Sequence, residues 1–178
     1  MGRKKGKFIL GIDLGGTKIL MGLLDRQFCL KKTVKLEMDG NRGEKFFFNK
    51  LIDGIEEVLE ETGSDLSDLL TIGIGCPGII DTHKGIVKVS SNVSFFKNYP
   101  LAEKLKSKLK VPVLVENDAN AALFGEQQFG AAHGYREVVG AFLGTGIGGA
   151  LIINGYLYRG VSGGAGEIGQ MFFTMPSC

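Results

Sequence analysis

The segment KFILGIDLGGTKILMGLLD, residues 7–25, carries the clearest signal for the fold of this chain. It holds two apolar runs, residues 7–13 and 18–25, which are separated only by the four letters LGGT. Two β-type runs joined by so short a glycine-containing segment favour a tight antiparallel hairpin. The next run, residues 28–36, alternates partly between apolar and polar side chains and predicts a third antiparallel strand.

The turn of this hairpin has the composition of a phosphate-binding loop. Gly15 and Gly16 expose backbone N–H groups, while Thr17 and Lys18 add side-chain donors. Asp13 ends the first strand, where a carboxylate is placed to hold hydrated Mg²⁺. The pattern is not a Walker A loop, because GxxxxGK[ST] does not fit and a strand follows the turn. Taken alone, the same residues are equally consistent with an ordinary tight turn.

Beyond the third strand, helical and β-type patterns alternate. They predict a helix over residues 46–60, a strand over 69–75, a short edge strand over 85–90, an amphipathic helix over 101–110 and a buried strand over 111–118. The order βββαβα indicates an α/β domain, with helices packed against a mixed sheet. We expect this first domain to occupy residues 1–117.

The second half of the chain begins as the first half did. Residues 118–130 are alanine-rich and predict a helix that leaves the first domain. Strand, glycine turn, strand, turn and strand then follow over residues 138–144, 148–154 and 155–160. We expect residues 118–178 to form a second domain that is only partly present.

The glycines of this second half contain a misleading pattern. Gly144, Gly146 and Gly149 satisfy the dinucleotide-binding pattern GxGxxG after a strand. That pattern requires a following helix, whereas the residues that follow are β-branched and aromatic. We therefore predict a second glycine hairpin, and two such turns can hold one polyphosphate from both sides.

Polar residues at the ends of predicted elements are further candidates. Asn117 and Asp118 stand where a strand meets a helix. A carboxylate at that place can accept a proton from an alcohol, although the more frequent role of such an aspartate is to cap its helix. Gly78, Asn92 and Glu167 are candidate substrate contacts, each with an ordinary turn or surface loop as the alternative.

Composition excludes several classes of function. The chain has 178 residues, 44% of them hydrophobic, and a formal net charge of +2, so neither a nucleic acid nor a membrane is expected as a partner. Cys29, Cys76 and Cys178 form no CxxC pair, which predicts neither a disulfide framework nor a zinc site. No apolar run reaches the length of a membrane span, and a reducing cytoplasm is the expected location.

Five motifs occur together in an order that resembles the ROK family of repressors and sugar kinases, especially its glucokinase-like members. They are GIDLGGTK, GCPGIID, VENDANAALFGE, FLGTGIGGALIINGYLYRG and GGAGEIG, and the resemblance runs from about residue 8 to residue 171. It implies the actin-like, ribonuclease-H-like ATPase fold, with two similar domains around a cleft.

The resemblance also implies roles for residues. The ATP phosphates would be held by the first hairpin, through Asp13 (with Mg²⁺), Gly15, Gly16, Thr17 and Lys18, and by the second, through Gly144, Thr145 and Gly146. Asp118 would be the general base that accepts the proton of a hexose hydroxyl, the 6-OH, during its attack on the γ-phosphorus. The sugar would be contacted by Gly78, Asn92, Asn117, Asp118, Glu167 and Gln170.

This sequence departs from the family pattern in two ways. Gln170 stands where kinases of the family carry a histidine that ligates zinc, and since glutamine is a poor zinc ligand, no zinc site is expected. The chain is also about half as long as the resemblance requires, so a truncated sugar-binding remnant is an alternative to an active kinase. A sugar-responsive repressor is less favoured, because no helix-turn-helix precedes the first strand. A homodimer is possible, as is common in the family.

Overall fold

The computed structural model of the protein describes residues 6–39, 42–90, 92–144 and 146–171. The chain divides into two compact units, Met1–Asp118 and Ala119–Cys178. The strands are β1 (Phe8–Leu14), β2 (Lys18–Asp25), β3 (Leu30–Glu37), β4 (Leu69–Cys76), β5 (Ile79–Asp81), β6 (Ile86–Val89), β7 (Lys97–Tyr99), β8 (Val113–Asn117), β9 (Val138–Leu143), β10 (Ile147–Ile153) and β11 (Tyr156–Leu157). The helices are α1 (Glu44–Glu61), α2 (Leu101–Leu109) and α3 (Asp118–Phe129), with short 3₁₀ turns at Leu66–Asp68 and Ile168–Gln170.

A five-stranded mixed sheet with the order β3-β2-β1-β4-β8 forms the centre of the first unit. The predicted hairpin is confirmed, because β1 pairs antiparallel with β2, with Gly11 opposite Gly22. β4 lies parallel to β1 on the other side, and β8 lies parallel to β4. The carboxyl ends of β1, β4 and β8 therefore meet at one edge of the sheet, which is where ligands bind in open α/β sheets.

One face of this sheet is buried beneath α1 and α2, because apolar side chains alternate along its strands. Helix α1 contributes the fully buried Phe47, Leu51 and Ile55, which lie at the four-residue spacing of one helix face. Helix α2 adds Leu101 and Leu105 in the same way. The sheet and the two helices thus form one core that holds the strand ends in place.

A second sheet, which the sequence predicted only in part, lies between β4 and α2 along the chain. It has three strands in the order β5-β6-β7, all antiparallel. The strand predicted at residues 85–90 is confirmed as β6, but the expectation that it lies at a sheet edge was wrong, because β6 is the central strand of this sheet. Its neighbours β5 and β7 have three residues each, and strands so short show no alternation that periodicity detects.

The second unit has a three-stranded antiparallel sheet with the order β11-β10-β9. A strand and not a helix follows the GxGxxG pattern, which confirms the predicted hairpin of β9 and β10. Helix α3 packs on this sheet through Leu123, and a small core forms with Ala150 and Ile152. Ala119 lies close to the backbone at Gly148, where a built Cβ would stand 3.5 Å from its side chain. Among the described residues, no helix has the length and apolar character needed to cross a membrane.

Candidate functional site

The turn of the first hairpin is tight and lies against a second candidate residue. The Gly15 N–H donates to the Lys18 carbonyl at 2.8 Å, which closes the turn. A Cβ on Gly15 would stand only 2.9 Å from that oxygen, so glycine suits this position. A Cβ on Gly16 would stand 3.4 Å from Cβ of Asn92. The fold thus brings the predicted phosphate loop next to the predicted sugar contact at Asn92.

Two acids come together at the carboxyl edge of the main sheet. Asp13 lies near the end of β1, and Asp118 follows the last residue of β8. Asp13 is exposed, yet desolvation by the surrounding protein, together with the charge of Asp118, raises its pKa above the ordinary value of 3.8. A carboxylate at an open strand end is a hard oxygen donor, so Asp13 fits the predicted role of holding hydrated Mg²⁺.

Two further candidates, Gly78 and Asn117, contact each other directly. The side-chain Nδ2 of Asn117 donates to the Gly78 carbonyl at 3.1 Å. Asn117 is buried, with 7% of its surface exposed, and its strand neighbour in β4 is Cys76. The Cys76 thiol is also buried, and desolvation and the charge of Asp118 raise its pKa far above the ordinary range. Sequence reasoning missed this contact, because the two partners are 39 positions apart.

A cluster of aromatic side chains anchors the segment that follows Asn92. Phe96 is fully buried, and its ring meets those of Phe47 and Phe95 at centroid distances of 5.3 and 5.0 Å. Tyr99 packs on the rings of Phe95 and Phe96. Its hydroxyl donates to Glu44, at the start of α1, at 3.2 Å. The sequence signal was the close pairing of Phe95 and Phe96 after Asn92, but their partner in α1 was not foreseen.

The glycine turn between β9 and β10 belongs to the second unit. The Gly144 N–H donates to the Gly146 carbonyl at 2.9 Å. Apart from the adjoining residues, no atom of the part of the chain that the structure describes lies within 4 Å of a Cβ built on either glycine, so this turn is not packed against other described residues. Thr145, the third predicted residue of this turn, lies outside the described residues.

Glu167 is held on β10 by the glycines around it. A Cβ on Gly169 would overlap the Ile147 carbonyl oxygen, and a Cβ on Gly149 would overlap the carbonyl oxygen of Gly166. Gly166 itself has a φ of 90°, which glycine adopts without strain. The 3₁₀ turn that follows ends at Gln170, which is exposed while Glu167 is half-buried. The crowded glycines of this segment are therefore a packing requirement of the second unit.

The expectation that the chain has no zinc site stays a prediction. In the part of the chain that the structure describes, no three His, Cys, Asp or Glu side chains form a group able to hold a metal ion. Cys178, the cysteine nearest to the expected zinc cluster, lies outside the described residues.

Comparison with known proteins gives a family match along almost the whole chain. The model of the ROK family matches residues 9–178. A glucokinase of Thermotoga maritima is 37% identical over 163 residues, which cover 92% of this chain and 50% of the relative. A xylose repressor of Bacillus spizizenii is 36% identical over 177 residues, which cover 98% of this chain and 45% of the repressor.

A solved structure agrees with these sequence matches. The ROK family glucokinase from Streptomyces griseus, in complex with glucose and AMPPNP, has a TM-score of 0.82 and 34% sequence identity. The similarity covers 92% of this chain and 50% of that one. The chain thus spans about half the length of the relatives it matches.

Proposed function

The chain belongs to the ROK family, and from this premise we propose that it serves the ATP-dependent phosphorylation of a hexose hydroxyl. Its fold is the actin-like ATPase fold of the ROK sugar kinases. The observation that carries the proposal is that the glycine turn at Gly16 lies beside the polar residue Asn92, so close that a Cβ added to Gly16 would stand 3.4 Å from Cβ of Asn92. A phosphate loop that adjoins a sugar contact is the arrangement that phosphoryl transfer to a sugar requires.

In the proposed reaction, Asp118 is the general base. Its carboxylate accepts the proton of the sugar hydroxyl, the 6-OH, as the hydroxyl oxygen attacks the γ-phosphorus of ATP and ADP leaves. The backbone N–H of Gly16, with Thr17 and Lys18, orients the phosphates, while the Gly15 N–H closes the turn by donating to the Lys18 carbonyl. Mg²⁺, held through Asp13, would offset negative charge on the phosphates. Positioning of the two substrates supplies most of the rate.

The remaining residues of the proposal bind the substrates. The sugar is proposed to be contacted by Gly78, Asn92 and Asn117 of the first unit and by Glu167 and Gln170 of the second. Gly144, Thr145 and Gly146 are proposed to bind ATP phosphates. The names of the relatives support glucose as a substrate to test first, because both the Thermotoga maritima enzyme and the Streptomyces griseus enzyme are called glucokinases. Homodimer formation and a cytoplasmic location stay predictions.

Two alternatives are tied to particular observations. The match to a xylose repressor over 98% of this chain favours a sugar-sensing role as the second candidate function. The chain spans 50% of the Thermotoga maritima glucokinase, so transfer activity is itself a proposal here, and a sugar-binding role without transfer stays the other alternative. Sugar binding is common to all three functions, whereas phosphoryl transfer belongs to the kinase alone.

The test is ATP-dependent phosphorylation of glucose, N-acetylmannosamine and fructose by the wild type and by Asp118→Asn. Loss of the general base is expected to lower the rate about 10²–10⁴-fold. Asp53→Asn is the matched control, because Asp53 is exposed on α1, outside the proposed site. Equal activity in Asp118→Asn and the wild type would contradict the assignment of Asp118. An inactive wild type that binds sugar in calorimetry would indicate the remnant, and sugar-dependent DNA binding would indicate the repressor.

A further inference from the structure

We infer that the protein associates with a second copy of itself through the ends of helices α1 and α2, where acidic side chains of one copy meet lysines of the other. Both helices belong to the first unit, and their buried side chains pack into the same core on one face of the main sheet. This contact between copies does not depend on the proposed function. It is carried by the opposite charges that the two helix ends expose.

The second half of α1 exposes side chains of one charge only. From residue 53 to the end of the helix, every exposed side chain is acidic: Asp53, Glu56, Glu57, Glu60 and Glu61. Like charges four positions apart, such as Glu56 and Glu60, repel each other along a helix. Acidic groups in the last turn also oppose the helix dipole, and this turn contains no basic residue. These acids therefore weaken the isolated helix unless positive charge approaches from outside it.

The end of α2 exposes the opposite charge. Lys106, Lys108 and Lys110 are exposed there, and Ser107 is the one other exposed residue between positions 105 and 110. Lys106 and Lys110 are four positions apart, so they repel each other as the acids of α1 do. Positive charge is thus concentrated at this helix end, and an approaching acidic surface would relieve the repulsion.

These charges are not paired with one another inside the molecule. Among the described residues, the ion pairs of the two helices are those of Glu61 with Lys32 and of Glu44 with Lys104. The three lysines at the end of α2 and the four other acids of α1 have no ionic partner in the described part of the chain. Both groups of side chains are therefore available to a second copy.

The two charged ends lie at the same edge of the main sheet. Glu61 pairs with Lys32, near the start of β3, at 2.6 Å, and α2 ends four residues before β8 begins. Strands β3 and β8 both run in the direction of β1, so their starts share one edge of the sheet. The helices are also neighbours, since Glu44 at the start of α1 pairs with Lys104 of α2 at 2.8 Å. The helix layer therefore has a negative and a positive end beside each other.

A layer with this charge pattern is complementary to itself. A two-fold axis that runs parallel to the helices places each α1 over the α2 of the other copy. The acidic end of α1 then faces the basic end of α2, and the same contact occurs twice in the dimer. Complementary charges direct and speed association and are screened by salt. We therefore expect a dimer whose stability depends on ionic strength.

The first experiment measures self-association of the wild type by sedimentation equilibrium at low and high salt. Between about 500 mM and about 20 mM NaCl, the range over which screening weakens most, the association constant is expected to rise at least about tenfold. Association through apolar surface would not weaken as salt is added. A wild type that stays monomeric at low salt, or whose association does not respond to salt, would overturn the inference.

Two charge-reversal variants locate the surface. The α1 variant, Glu57→Lys with Glu60→Lys, makes both helix ends basic, and the α2 variant, Lys106→Glu with Lys110→Glu, makes both acidic. Each variant should associate with itself at least about tenfold more weakly than the wild type at low salt. An equimolar mixture of the two should form mixed dimers, because every positive end then faces a negative one. Mixed dimers would also show that both variants are folded.

A control variant separates the position of the charges from their sum. Lys35→Glu with Lys97→Glu has the same net charge as the α2 variant, but its changes lie at exposed positions outside the two helices. It should associate with itself as the wild type does, and should bind the α1 variant at least about tenfold more weakly than the α2 variant does. Equal binding of the α1 variant by both would overturn the inference, as would reversal variants that associate like the wild type or a mixture that forms no dimers.

Discussion

Asp13 and Asp118 show how single residues acquire chemistry from their placement. Neither acid is unusual in the sequence, yet the parallel order of β1, β4 and β8 brings both to one edge of the sheet. The charge of Asp118 adds to desolvation in raising the pKa of Asp13. Such a carboxylate costs the folded protein free energy when no cation is bound, which is typical of residues kept for function rather than stability.

This cost gives the residue-scale prediction that Asp13→Asn raises the unfolding temperature of the ligand-free protein near neutral pH. The folded-state pKa of Asp13 lies above its ordinary value of 3.8. Ionisation therefore opposes folding, and the cost grows as the pH rises from the ordinary value through the raised one. The stabilisation should accordingly be largest near neutral pH and vanish in acid.

Thermal denaturation across pH, with Asp53→Asn as the control on an exposed face of α1, measures this effect. The same Asp13→Asn variant is expected to bind Mg²⁺ and ATP more weakly than the wild type. If Asp13→Asn is less stable than the wild type at neutral pH, the prediction is wrong and the Asp13 carboxylate stabilises the folded protein.

At the scale of elements, the aromatic cluster of Phe47, Phe95, Phe96 and Tyr99 joins α1 to the segment between β6 and α2. Glu44 strengthens the junction, because its carboxylate accepts bonds from Tyr99 at 3.2 Å and from Lys104 of α2 at 2.8 Å. The pKa of Glu44 is lowered, mainly by the bond from Lys104. The exposed ion pair between Glu44 and Lys104 adds little to the stability of this junction. Packing of the buried rings supplies most of that stability.

We therefore predict that Phe96→Ala destabilises the first unit by about 3–5 kcal/mol. Phe96 is fully buried among the other rings, so its removal leaves a cavity that the cluster fills only in part. Phe124→Ala is the matched control, because Phe124 of α3 is 46% exposed. Urea denaturation measures both variants, and a similar small change in the two would mean that the cluster does not hold the segment.

At the scale of the whole molecule, the two units differ in how completely their sheets are covered. The first unit buries one sheet face under two helices. The second has α3 against one face of its sheet, while Val139 and Leu143 of β9, on the opposite face, are 72% and 83% exposed. Exposed apolar side chains grouped on one strand favour association of a protein with itself or with others.

The corresponding prediction is that Val139→Lys with Leu143→Lys reduces concentration-dependent association of the protein. Placing charge on this face removes apolar contact area and adds repulsion between copies. The unfolding temperature should change little, since both side chains are exposed. Light scattering over a range of concentrations measures the effect, with Gln27→Lys and Thr33→Lys together, at two exposed positions of the first unit, as a control that adds the same charge. Unchanged association in the double variant would show that this face takes no part.

Much of the fold was predictable because long apolar runs and glycine turns are local signals. Both glycine hairpins, the three long helices and the mixed sheet were expected and are confirmed. The strands β5 and β7 were missed, since three residues are too few for periodicity to show. The candidate residues were named from motifs, but the pairings between Gly78 and Asn117, and between Gly16 and Asn92, were not.

The hairpins, the helices and the family could be inferred from the residues alone, because each depends on residues that are near one another in the chain or recur in a fixed order. Which candidate residues meet, by contrast, depends on how the whole chain folds. Asn117 donates to Gly78 across 39 positions because the parallel strands β4 and β8 end side by side, and the segment after β6 places Asn92 beside the turn at Gly16. Hydrogen bonding and desolvation depend on distance in space, and no local pattern of residues records that distance.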